Sequence, residues 1–388
     1  MLRAFAAVTT AALFLAFALR AGSDAPPSDE ATKATMHELY GAVSELLPRC
    51  LSNERFQAPA DREVVKASLA KLAQSADALS THLHGAGPDE LSFRGAALAR
   101  DARRAQARFD SGRPVDARFT ALALTEACVG CHSRLPAEKS AAFSSGLTAK
   151  IDPAALSPSE RARLDVATRQ FDAALGEYEA LLVSPSPEAG EAIRMADLTE
   201  YLIVAIRVVR APERAEKLLA KLEKRAQTLE TLREQLGPWR AQLTHQGHVV
   251  RDVPSLAVAR RLVDAGKAAR SYAYSRAGII YDLLASSVLH RLLEEPKLAA
   301  GDRAEAYYLV GLTDSNARSS PWLSDGAWYL DAAIHTKPHS PVAVRAFEAY
   351  EDMTLLEWTG SAGTQLPDDV VADLDRLRAL AQPEAKSL

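Results

Sequence analysis

Cysteine is scarce in this chain of 388 residues: there are three, with Cys50 alone and Cys128 and Cys131 three positions apart. A structural zinc centre needs about four Cys or His ligands, usually in paired knuckles. Cys50 has no histidine at ligand spacing, so the second half of such a site is missing. Alternating apolar and polar segments are almost absent too, and nothing from Thr120 to Pro136 reads as a strand. That removes the strand-to-helix junction on which a thioredoxin-type C-x-x-C sits. Excess positive charge is also lacking. The formal net charge is −4, and two units more negative without Arg3 and Arg20 of the N-terminal leader, which excludes nucleic acid as a partner. After that leader no apolar run is long enough to span a bilayer.

What is present is Cys128-Val129-Gly130-Cys131-His132, the C-x-x-C-H signature of covalently attached haem c. Two thiols three positions apart on a helical turn can add to the two vinyl groups of one porphyrin. Cys128 and Cys131 would carry the thioethers, and His132 would bind the iron. Haem c is attached outside the cytoplasm, and the chain opens accordingly. Arg3 precedes Ala4 to Leu19, apolar apart from Thr9 and Thr10, and Ala21-Gly22-Ser23 precede Asp24. These proportions predict a signal peptide at 1–23 and a mature protein in the periplasm, with no integral membrane segment after signal removal. The alternative, an uncleaved anchor, requires a longer apolar run.

Apolar residues recur at spacings of three and four from Ala31 to Leu380, which predicts an all-α fold. A polar linker at 137–158, containing Ser144-Ser145-Gly146 and Pro153, separates a haem-binding unit at 24–136 from an α-helical, repeat-like domain at 159–388. The first unit shows four helical segments, broken at Asn53 to Asp61, at His84 to Asp89 and at Asp110 to Pro114. Short connections imply antiparallel neighbours, and hence an up-down-up-down bundle. The C-x-x-C-H motif closes its fourth helix before Pro136.

In length and layout residues 32–136 resemble the cytochrome c-prime family and its low-spin relatives, whose four-helix domain carries C-x-x-C-H near its C-terminal end. The resemblance implies one haem c, with an iron either open to a small gas or closed by a sixth ligand. In that family the chain stops soon after the motif. Here about 250 residues follow it.

In such a bundle the fourth helix ends where the first begins, the second ends and the third begins. Met36, His37, His82, His84 and Phe93 therefore compete for the position opposite His132. Met36, Leu39, Tyr40, Val43, Leu46, Leu47 and Cys50 form one apolar stripe, so Met36 faces inward, while His37 is turned about 100° away. Val65, Leu69, Leu72, Ala76, Leu79 and Leu83 form the seam of the second helix, with His82 and His84 flanking it. Met36 is the expected sixth ligand; His82 or His84, and an open site, remain alternatives. A His/Met pair favours outer-sphere electron transfer.

Phe93 is expected near the haem edge, and Arg94 and Arg134 are candidates for pairing with propionates. As a set, Arg94, Arg100, Arg103, Arg104 and Arg108 read as a solvated helix face. Cys50 lies about 21 Å along the helix from Met36 and reads as a buried structural thiol.

Beyond the linker, Ser157-Pro158 starts a helix whose apolar face is Leu164, Phe171, Leu175, Tyr178 and Leu182. Leu202 to Val209 is apolar and central. Ala215 to Leu236 is amphipathic and is expected to stop at Gly237-Pro238. Tyr307 to Leu312 and Tyr329 to Ile334 look like the two helices of a tetratricopeptide unit, joined by a linker at Asp314 to Pro321. Stacked helix pairs of that kind offer concave surfaces to protein partners. Trp239, Trp322, Trp328 and Trp358 all fall in this half and read as internal packing. His245 and His248 lack a third metal ligand.

These readings converge on a periplasmic monohaem c-type cytochrome in electron transfer, with a helical docking domain for a redox partner protein. The alternatives are a five-coordinate haem protein that binds nitric oxide or carbon monoxide, and a scaffold with a haem-stabilised domain. Without a clear distal acid-base pair, enzymatic activity is not expected.

Overall fold

The computed structural model describes residues 29–50, 53–83, 89–118, 120–121, 124, 156–167, 170–184, 191–225, 230–272, 275–295, 297–317, 326–361 and 363–382. Residues 1–28 (with the expected signal peptide), His84, the Cys128 to His132 motif, Arg134, Trp322 and nearly all of the expected 137–158 linker lie outside this set, as does the side chain of Phe93.

The described chain is almost wholly helical, as periodicity requires. Helix α1 (Asp29–Cys50) buries Leu39, Leu46 and Cys50, with Met36 and Val43 packed beside them. The Asn53 to Asp61 break contains a one-turn helix, α2 (Asn53–Phe56), whose Phe56 is fully buried. Helix α3 (Arg62–Leu83) presents Val65, Leu69, Leu72, Ala76 and Leu79 to the same core. Helix α4 (Asp89–Asp110) is poor in large apolar residues and faces that core with Ala99, Ala102, Ala105 and Phe109. After α4 the chain reverses through Gly112, at φ +79. Bonds from Arg113 N–H to Arg108 O (2.8 Å) and from Gly112 N–H to Phe109 O (3.1 Å) close it as a Schellman turn. A helical stretch follows, described at 114–118, 120–121 and 124, and adds Ala117, Ala121 and Leu124 to the core.

A second, larger core belongs to the C-terminal helices. The helix expected from Ser157 to Leu182 is two: α5 (Pro158–Ala167) and α6 (Phe171–Val183). Folding back lets Ala162 and Val166 bury in the same core as Phe171, Leu175 and Tyr178, and pairs Arg161 with Glu177 at 3.3 Å. Helix α7 (Glu191–Leu202) runs on into a π-helical turn, Ile203–Val208, whose first five residues are buried; this is the central apolar stretch that the sequence indicated. Helix α8 (Pro212–Glu223) follows, with proline in its first turn.

Gly237-Pro238 does not stop a helix; it lies inside α9 (Glu230–Gln246). An interior proline costs about 3 kcal/mol. Burial of Leu236, Trp239 and Leu243 offsets that cost, and the Trp239 indole N–H donates to Arg276 O at 3.0 Å. Helix α10 (Leu256–Ala269) is capped by Ser255, and α11 (Ile279–Leu293) is buried along nearly its whole length.

Helices α12 (Ala300–Asn316) and α13 (Gly326–Thr336) pack against each other. They meet at Gly311 and Gly326, where an added Cβ would run into Leu330 and into Ser315 and Gly311 O respectively. The expected linker begins too early, since Asp314 lies within α12 and is 1% exposed. Helix α14 (Pro341–Glu357), a two-residue hairpin pairing β1 (Thr359–Gly360) with β2 (Gly363–Thr364), and α15 (Asp368–Ala381) complete the described chain. Among the described residues no helix is long and apolar enough to cross a membrane.

Candidate functional site

The two ends of the N-terminal core are distinguished by their polar ties. At one end the Arg118 guanidinium donates to Cys50 O (2.7 Å) and to Asn53 Oδ1 (3.3 Å), and Phe56 meets Phe109 edge-on at 5.7 Å. At the other, Thr35 of α1 meets His82 of α3 at 3.3 Å, and Ser92 of α4 donates to Leu83 O at 2.5 Å. The start of α1, the end of α3 and the start of α4 therefore share one end, and the stretch beginning at 114 starts from the opposite one.

Met36 lies at the shared end, half-buried and packed against the core. One turn further in, the Tyr40 hydroxyl is buried and has no hydrogen-bond partner among the described residues. A buried phenol without a partner costs about 1–3 kcal/mol, so this end has polar capacity that an inserted group bearing carboxylates would satisfy. His37 is exposed, as its phase predicts.

His82 is half-buried. The Thr35 hydroxyl gives its proton to Ala31 O (3.0 Å), so in the Thr35 to His82 contact Nδ1 is the donor. That tautomer leaves Nε2 with the lone pair a metal takes. No group of three or more His, Cys, Asp or Glu side chains is placed to hold a metal ion among the described residues. His245 and His248 are both exposed, and His248 Nε2 reaches only Asp252 at 3.7 Å.

Cys50 is fully buried at the far end. Burial, against the opposing charge of Arg118, pushes its thiol up to about 11, which keeps it protonated and unreactive.

No family model, curated protein or solved structure matches this chain.

The arginines of α4 depart most from expectation, because they are not a solvated face. Arg94 and Arg108 are 3% and 5% exposed, and only Arg103, paired with Asp77, faces mainly outward. The stripe is covered by the C-terminal helices. Arg94 lies over the rings of Tyr329 and Trp328 of α13, at 4.6 and 5.4 Å from their centroids. Arg100 reaches Asp331 at 3.2 Å. Arg104 pairs with Asp373 and, at 3.1 Å, with Asp369 of α15, and Arg108 bridges Asp369 (2.5 Å) and Thr120 (2.7 Å).

Burial works against the Asp369 carboxylate, but the hydrogen bond and charge of Arg108, with Arg104, outweigh it and hold its pKa below the ordinary value. Asp331 is likewise lowered against burial, by His335 and Arg100. Its hydrogen bond raises His335 in return. Sequence reasoning missed these aspartates, although Asp369 and Asp373, four apart on α15, form an acid row of matching period.

A second buried ionic group joins α5, α6 and α7. Arg163 grips both oxygens of Glu200 at 3.1 Å, Tyr178 donates to Glu200, and Ser159 donates to Asp197 at 2.6 Å. Burial above all, with Glu200 nearby, raises Asp197.

Proposed function

We propose that this protein is a periplasmic monohaem c-type cytochrome that works in electron transfer. In this reading a cytochrome c-prime-like four-helix bundle carries the haem, and a tetratricopeptide-like extension docks a redox partner protein. One observation carries it. The buried stripe Ala117, Ala121 and Leu124 continues in sequence to Cys128 and Cys131 at spacings of four and three, in the stretch that starts opposite the end where Thr35, next to Met36, meets His82.

Cys128 and Cys131 would hold the group covalently, His132 and Met36 would bind its iron, and Tyr40 would offer it a hydroxyl. Bound haem supplies a one-electron couple at the iron. The chain's own residues would hold the porphyrin in place, and the buried Leu39 and Leu79 would keep water from that end.

A low-spin ferric spectrum that turns high-spin on Met36→Ala is the expected result. A spectrum unchanged by Met36→Ala removes methionine ligation. His82 is the second reading for the sixth position, favoured by the Nδ1 donor role that Thr35 imposes; His82→Ala then gives the spectral change instead. If the reduced protein binds carbon monoxide without displacing any ligand, the iron is open and the gas-binding function replaces electron transfer.

A further inference from the structure

We infer that α4 is hinged on α13 and clasped to α15: as ionic strength rises, the N-terminal helices swing away from α15 about the seat of Arg94, with both apolar cores intact. Opening uncovers the arginines of the second half of α4. It needs no cofactor at either end.

The two halves of the seam differ in kind. Along the first half of α4, Arg94 lies over Tyr329 and Trp328 of α13, and Arg100 reaches Asp331. Tyr329 and Asp331 are each 2% exposed, and Tyr329 is braced by His290, edge-on at 5.5 Å, and by Tyr307 at 6.0 Å. A cation held over an aromatic face has no counter-charge there for salt to screen, and a buried pair is screened little. Along the second half the partners are two carboxylates at the start of α15. Arg104 pairs with Asp373 and, at 3.1 Å, with Asp369, which Arg108 reaches at 2.5 Å and Arg113 at 3.8 Å. The side chains of Asp369 and Asp373 are 27% and 21% exposed, so water and salt reach this half.

Nothing in either apolar core requires the seam to stay shut. The two cores share no residue among those described, and Ala97, 1% exposed and one turn from both Arg94 and Arg100, belongs to neither. Each core closes on itself, which lets the seam part before either one unfolds. From Arg94 to Arg108 is about 21 Å along the helix. A small rotation at the α13 end therefore separates the pairs at α15.

The test is arginine-specific dicarbonyl labelling of the full-length protein, mapped by mass spectrometry. Sodium chloride is raised from about 0.01 M to about 1 M, which shortens the Debye length from about 30 Å to about 3 Å. Measured against the exposed Arg103, labelling of Arg104 and Arg108 is expected to rise about fivefold, while Arg94 and the buried core residue Arg207 stay protected. Asp369→Asn with Asp373→Asn is expected to give the high-salt pattern at low salt. Asp172→Asn with Asp375→Asn removes the same charge from side chains 90% and 64% exposed elsewhere and is expected to leave the wild-type pattern. Labelling of Arg94 together with Arg108, or before it, overturns the hinge. Protection of Arg108 until Arg207 is also labelled overturns opening short of unfolding, and equal patterns from the two double variants overturn the clasp. The wild-type salt series decides the first two points even if a variant fails to fold.

Discussion

His335 stands between Asp331 on its own helix, at 2.7 Å, and Arg376 of α15, at 3.3 Å. The Asp331 hydrogen bond raises its pKa above the ordinary 6.5, against burial and the charge of Arg376. A raised folded value means that this pair's contribution is complete below about pH 6.5 and is lost as the pH rises through the folded value. Asp331 and Asp369 act in the opposite sense: lowered from 3.8, they contribute above that pH and lose the contribution as the pH falls through their folded values. Stability is therefore expected to fall on both sides of a mildly acidic plateau. His335→Gln should flatten the alkaline side in denaturant titrations between about pH 6 and pH 8, and a variant whose profile runs parallel to wild type would refute the assignment. At this scale the inner stripe was legible in the sequence: Leu39, Leu46 and Cys50 are buried and His37 is exposed, because helical phase alone decides them. The arginines of α4 were not legible. A solvated charged face and one covered by aspartates more than 220 positions away have the same local pattern.

Among the elements, close helix crossings set what can be changed. Gly278 sits where an added Cβ would lie 2.3 Å from Gly266 O, whereas at Gly41 of α1 nothing lies within 4 Å. Gly278→Ala is expected to destabilise by about 1–3 kcal/mol, and Gly41→Ala to stabilise by about 0.5–1 kcal/mol. Urea unfolding of the two variants checks both, and a neutral Gly278→Ala would contradict the crossing geometry. Phe56, fully buried against Phe109, closes the end opposite the proposed haem. Phe56→Ala should cost about 3–5 kcal/mol in stability and leave the haem spectrum unchanged; a spectral change would mean that the two ends are not separate. The sequence erred at the element scale where punctuation was outweighed by packing. Pro238 stays within α9 because Trp239 and Leu243 are buried on the same helix, and the helix from Ser157 divides because Phe171 packs back onto the core shared with Val166. Neither long-range contact leaves a local trace.

For the whole molecule, two apolar cores are joined by a polar seam in which Arg100, Arg104 and Arg108 face Asp331, Asp369 and Asp373. An interface of that character is weaker than either core. Asp369→Asn with Asp373→Asn is expected to replace one cooperative thermal transition by two, and added salt should bring wild type toward the same behaviour. A single transition at the wild-type temperature would show that the seam carries no coupling. The seam also constrains function, since Asp331 of α13 and Asp369 and Asp373 of α15 are occupied by the protein's own α4, and a redox partner of the proposed cytochrome would have to meet another part of the surface.

The account depends first on a covalent haem held by Cys128 and Cys131. The direct measurement is the absorption of the purified protein after denaturation, with the Cys128→Ala, Cys131→Ala double variant beside it. The account predicts a c-type haem that stays with the polypeptide through denaturation and is absent from the double variant. A wild-type chain that carries no haem, or loses it on denaturation, would contradict the account.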